Sequence, residues 1–161
     1  MEHAGFPPWS RACALVGWVF VLGFFFAKAE IHIEGAQGWA AGLPTWRVDT
    51  HPLLDIFWGG RQMTGYHFWM FSFMALVFHL VFFLCGQFNW LVELRVVGCL
   101  MWFWILEDFL WFVLNPHYGL KKFSRTMAPW HKRWLLGVPV DYIAFSVAGS
   151  ALLFLSYWKE T

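Results

Sequence analysis

Two adjacent acids, Glu107 and Asp108, stand in the run MWFWILEDFLWFVLN, which carries no other charge. A charged side chain inside an apolar helix is costly, about 2.5–3.5 kcal/mol for an aspartate at the centre of a membrane span, and such residues face a protein interior or a water-filled cavity. The pair lies eight and seven residues before Asn115, where Pro116 forces the helix to stop. At the α-helical rise this places both acids roughly 10–12 Å in from the helix end. Trp104, Asp108, Trp111 and Asn115 follow at steps of four, three and four, so they share one stripe, and Glu107 borders it. Two acids in one dry pocket can divide the work of proton donation and proton abstraction. Indole faces add attraction for a cation, including a cationic intermediate. The same acids could instead tie the helix to Arg47, Arg61 or a basic residue of the loop that follows.

A second group supplies metal-ligand chemistry. His32, His51, His67, His117 and His131, with Glu30, Glu34, Asp55 and Asp141, all fall on the half of the predicted topology that holds Asn115; His3 and His79 do not. His67 and His131 with Glu34, Glu107 and Asp108 would make a mixed nitrogen and oxygen set of the kind zinc and iron accept as divalent ions. No H-E-x-x-H or helical E-x-x-H spacing enforces it.

In EIHIE, an extended chain would put Glu30, His32 and Glu34 on one face. A continued helix would keep Glu30 and Glu34 together and turn His32 away. Glu34 therefore counts in either conformation, as one wall of a polar vestibule above the Glu107–Asp108 pair. Arg47, in GWAAGLPTWR, offers a planar fork to a phosphate or carboxylate head group. Tyr142 and Asp141 sit level with Asn115, Tyr142 within reach of the acids and Asp141 placed to cap a helix. His79, with Ala75 one turn earlier, could hold a ring pigment or haem, or bond to a neighbouring helix.

Apolar runs over 12–29, 66–86, 90–114 and 138–158 must position these groups. Each has close to the roughly 20 residues that a membrane span needs. The composition agrees: 60% hydrophobic and 13% charged, against about 45–50% and about 25% in soluble proteins. With 19 Phe and 13 Trp, a soluble domain of 161 residues could not hide its aromatic surface. The expected fold is an all-α integral membrane protein, one domain of four transmembrane helices with both termini on one face and two structured interfacial loops on the other. The first run reads as an anchor rather than a cleaved signal, because it exits through bulky and then charged residues.

In the first loop, THPLLDIFWGG suggests a short surface helix capped by Thr50, with Pro52 in its first turn and Gly59 as its stop. In the second, Pro129 would start another short helix through Trp134. Lys28, Arg47, Arg61, Lys121, Lys122, Arg125, Lys132 and Arg133 lie on the loop face, against Arg11, Arg95 and Lys159 opposite. Eight against three directs the long loops to the cytoplasm of a plasma or inner membrane.

Cys13, Cys85 and Cys99 form no dithiol or zinc pattern, no phosphate loop or nucleophile elbow occurs, and a net charge of +1 gives no reason to expect nucleic acid. The expected function is a membrane enzyme acting on a lipid, isoprenoid or sterol-like molecule. Glu107 and Asp108 would supply acid and base, and Trp104, Trp111, Asn115, Tyr142, Arg47 and Glu34 would contact the substrate. A metal-dependent version of the same site competes with it. So does a non-catalytic subunit, part of a larger membrane complex or homo-oligomer, that binds pigment or quinone.

Overall fold

A computed structural model describes residues 8–158; His3 and Lys159 lie outside the described residues. The elements are α1 (Pro8–Glu34), β1 (Arg47–Val48), α2 (Pro52–Phe57), β2 (Met63–Thr64), α3 (Gly65–Cys85), α4 (Trp90–Leu114), a 3-10 turn (Leu120–Lys122), β3 (Trp134–Leu135), β4 (Val138–Pro139) and α5 (Val140–Trp158). The chain is mostly helical, and α1, α3, α4 and α5 are long and apolar enough to cross a membrane.

α4 is the axis around which the others pack. α1 runs beside it in the same direction: Gly23 lies against Leu106 and Glu107, and Asn115 reaches Gly35. α5 runs the opposite way, with Gly98 against Gly149, Asp108 meeting Tyr142, and Arg95 Nε donating to Ser156 Oγ at 3.3 Å. Where α4 and α5 cross, the backbones nearly touch. A Cβ on Gly98 would stand 2.9 Å from the Gly149 carbonyl oxygen, and one on Gly149 would stand 3.1 Å from that of Gly98. Apolar helices approach this closely only through small residues. Gly149→Leu should therefore push the two helices apart and cost about 1–3 kcal/mol, read as denaturant unfolding in detergent. Unchanged stability would mean that α5 does not cross α4 at Gly98.

α3 is packed more loosely. Only Gly65, His67 and Met74 are buried along it, and Trp69, Leu76 and Phe83 are exposed. Its loop end is fixed: Thr64 Oγ1 accepts from the His67 backbone N–H at 3.2 Å, capping the helix. Below that anchor an apolar groove opens between α3, α4 and α2, with Trp58, Phe71 and Trp104 among its walls.

Several boundaries differ from the sequence expectation. α1 runs to Glu34 because nothing in EIHIE stops a helix; the first breaker is Gly35, in the left-handed region at φ 65°. The extended alternation is lost, Glu30 turns inward and His32 is exposed. α2 forms where expected, but His51, not Thr50, is its cap, accepting from the Leu53 N–H at Nδ1 over 3.2 Å. Pro52 at the first helical position holds the residue before it extended, and that residue is His51.

In the second loop no helix follows Pro129. The chain turns and then forms the β3–β4 hairpin, which shortens α5 to begin at Val140. Leu136 and Gly137 occupy the left-handed region at φ 50° and 82°, as a two-residue hairpin turn requires. β1 and β2 pair antiparallel across α2, Arg47 opposite Thr64, so the first loop is closed by a second small ladder.

Candidate functional site

The loop end of α4 carries the acids, and their side chains diverge. Successive residues on a helix point about 100° apart, so Glu107 faces α1 while Asp108 faces α5 and the second loop. They do not form the single pair that adjacency suggested.

Glu107 belongs to a corner built by α1 and α3. Glu30 and Glu34, one turn apart on α1, project toward the first turn of α3, where His67 stands. Glu30, His67 and Glu107 are 7%, 3% and 4% exposed. Glu34 Oε1 accepts from the Ala40 N–H at 2.5 Å and lies 3.7 Å from His67 Nε2. The other imidazole nitrogen, Nδ1, is 2.7 Å from Thr64 Oγ1. Trp39 stacks on the His67 ring, centroids 3.9 Å apart and planes 18° apart, and its Nε1 donates to the Gln62 carbonyl at 2.6 Å. Trp39 and Ala40 both hold left-handed backbone, φ 55° and 53°, unusual for residues with a Cβ. The turn that presents them is held by these contacts and by Arg47, which donates to the Ala40 carbonyl at 2.5 Å and to Gln62 Oε1 at 3.2 Å. Arg47 is thus placed as a staple of the turn.

Asp108 belongs to a second corner. It accepts from the Tyr142 hydroxyl, and lies 3.2 Å from His131 Nε2 and 3.9 Å from Arg61 Nη1. Arg61 Nη2 pairs with Asp141 and stands 2.5 Å from His131 Nδ1. Because guanidinium only donates, Nδ1 must accept, and the imidazole proton sits on Nε2, facing Asp108. His131 Nδ1 is therefore occupied, while Nε2 approaches Asp108 at 3.2 Å without an aligned hydrogen bond, and the expected donor set of His67, His131, Glu34, Glu107 and Asp108 is divided between two corners.

Burial pulls the Arg61 guanidinium down from its ordinary value, opposed first by Asp108, and an arginine stays charged at any working pH. Burial also holds the His131 imidazole below its usual range, against the pull of Asp108. The groups facing it are Asp108, Asp141, Arg61 and Tyr142. An unfolded histidine takes its proton near about pH 6.5, the folded one only lower. The stability that His131 contributes is thus complete above about pH 6.5 and is lost as the pH falls through that window. His131→Gln should flatten the loss of thermal midpoint between about pH 7.5 and 5.5. Parallel slopes for both proteins would place this titration on other groups.

The two corners face one small cavity of about 50 Å³, also walled by Trp39, Trp104, Trp111 and Trp130. A neighbouring cleft reaches Asp108, Asp141 and Tyr142 from the side of Trp58 and Phe145. Trp104 and Phe71, 4.3 Å apart edge to face, line the polar cavity, the cleft and the apolar groove. They form the partition between the polar chamber and the apolar groove. Trp111 is buried and packs on Phe112, Tyr118 and Trp130. Asn115, 1% exposed, donates through Nδ2 to the Gly35 carbonyl at 3.0 Å and accepts from the His117 N–H, closing the end of α4 against α1.

Sequence reasoning paired Glu30 with Glu34 without giving it a role at the site, and gave Arg61 and Asp141 only a tie and a cap. The signal for Glu30 was present in its spacing of four from Glu34; nothing local marks Arg61, which follows two glycines in an irregular loop. His79 lies at the other end of the bundle with Nδ1 2.6 Å from the Ala75 carbonyl and Nε2 3.3 Å from Glu93 Oε1 of α4. The carbonyl of the residue expected to make room for a ring instead engages the imidazole. Compared with family models, curated proteins and solved structures, the chain matches none.

Proposed function

We propose that this protein is a small integral-membrane enzyme performing acid–base chemistry on a lipophilic substrate, a lipid, isoprenoid or sterol-like molecule. The observation that carries the proposal is the position of Trp104 and Phe71, which join an apolar groove to a chamber holding buried acids on two sides. A substrate tail would lie in the groove and its polar or unsaturated head would pass the partition. Asp108, oriented by Tyr142 and His131, serves as the base. Glu107, on the opposite wall, serves as the acid. Trp104 and Trp111 flank a developing positive charge. Isomerisation, cyclisation or hydration fits two acids that act on one molecule from different sides. The long loops face the cytoplasm in this reading, as their excess of Lys and Arg favours.

The competing role, a non-catalytic subunit binding pigment or quinone, would use the exposed aromatic face of α3, which suits lipid equally well. The test compares lipid extracts of membranes containing the wild type, Asp108→Asn or Glu107→Gln, by mass spectrometry with separation of isomers. A lipid species altered by the wild type and by neither variant is expected. Identical profiles for all three folded proteins would overturn the enzymatic role.

A further inference from the structure

The corner formed by Glu30, Glu34 and His67 gathers more carboxyl oxygens than it has donors to satisfy. One ligand-type atom from each of the three residues lies within 4.8 Å of the others, and all three side chains are buried. Glu107 lines the same cavity. Its Oε1, on a residue 4% exposed, accepts no hydrogen bond among the described residues. A buried acceptor left without a donor is expensive, and three carboxyl groups here share one imidazole and the Tyr66 hydroxyl, with Glu30 and Glu107 facing each other. Arg61 also borders the cavity, but its guanidinium is already engaged with Asp141, Asp108 and His131.

We infer that this corner binds a divalent transition-metal ion, with Glu30, Glu34 and His67 as ligands and Glu107 as the fourth donor. The histidine is arranged for the task. Its Nδ1 is held by Thr64 Oγ1 and its ring by Trp39, which leaves Nε2 directed at the carboxylates. A ligating imidazole is normally oriented in this way, through a hydrogen bond at its other nitrogen. Three oxygen donors and one nitrogen suit zinc, iron(II) or manganese rather than a thiolate-seeking ion. Bonds of about 2.0–2.2 Å to one tetrahedral centre would bring the donor atoms about 3.3–3.6 Å apart, an inward closure from a spacing that now lies within 4.8 Å. The ion would neutralise two of the carboxylates and polarise an oxygen of a molecule entering the chamber. The set includes Glu30 and excludes His131 and Asp108, so it is not the donor set that the sequence suggested. It deepens the enzymatic reading of the same chamber without depending on turnover, and with the ion bound Glu107 would be a ligand, so the proton given to the substrate would come from water polarised by the ion instead.

The test measures metal directly. The full chain is expressed with zinc, iron and manganese in the medium, purified in detergent without chelator or metal-charged resin, and assayed by elemental mass spectrometry. About one ion per chain is expected. Glu34→Gln and His67→Asn should abolish stoichiometric metal, and Thr64→Val should weaken binding about 10–100-fold. Asp108→Asn should keep its metal. Wild type that stays metal-free after equilibration with each ion overturns the site, as does metal retained by both ligand variants. Should those variants misfold, a chelator-induced fall in the thermal midpoint of the wild type supports the site, and its absence counts against it. Bound metal together with unchanged lipid profiles would leave this site standing and remove only the enzymatic role.

Discussion

Arg61→Ala is expected to cost about 3–5 kcal/mol, the usual penalty for breaking a buried ion pair by removing one partner. Arg61 is the cation that two carboxylates share: it pairs with Asp141 and faces Asp108 at 3.9 Å. Its side chain is 10% exposed, so water cannot replace it. Its loss would also strip His131 Nδ1 of the donor that fixes the imidazole tautomer. Four elements meet through this one guanidinium: the loop before β2, α4, the second loop and the start of α5. Arg61→Lys should fall between wild type and alanine, because an ammonium keeps the charge and loses the fork. The double variant Arg61→Met with Asp141→Asn should recover part of the loss, since it removes one of the orphaned carboxylates along with the cation. Denaturant titration in mixed micelles reads all three. An alanine variant within about 1 kcal/mol of wild type would show the pair to be screened like a surface salt bridge.

Asp108→Asn should separate chemistry from folding. The amide oxygen still accepts from Tyr142, and Arg61 keeps Asp141 as its partner. The fold should persist, with an unfolding midpoint close to that of wild type. What is lost is the ability to take a proton, and removing a positioned general base typically costs about 10²–10⁴ in rate. The measurement is turnover of the lipid species that the membrane comparison identifies, at several pH values. A rate unchanged in the asparagine variant would remove Asp108 as the base. A rate recovered by raising the pH would assign the proton transfer to another group.

The four long helices were legible because a span writes its length directly into the sequence as an uncharged apolar run. The depth of Glu107 and Asp108 was legible for the same reason, since Asn115-Pro116 fixes the end of α4. The division of those two acids between corners was not. Which way each side chain faces depends on where α1 and α5 pack, and α4 is too apolar around its circumference for periodicity to reveal it. Five residues cannot distinguish a short strand from the last turns of a helix, so EIHIE gave Glu30 a place beside Glu34 in either conformation but not its position against Glu107. The second loop failed differently. Proline at position 129 reads as a helix start by local rules, yet the hairpin at Leu136–Gly137 and the bond from Trp134 Nε1 to the His131 carbonyl pull the segment into turns. His131 owes its buried position to that detour, and no local spacing records it.

The loose seating of α3 has a consequence for selectivity. The groove below Trp104 is closed by protein on one side and left open along the exposed flank of the helix. In a bilayer the missing wall would be acyl chains, which adapt to whatever lies beside them. A molecule held there would be measured closely at its head, by buried acids and indoles at fixed positions, and hardly at all along its tail. Such a protein would be strict about functional group and tolerant of chain length, so a homologous series of substrates should differ little until the head is changed.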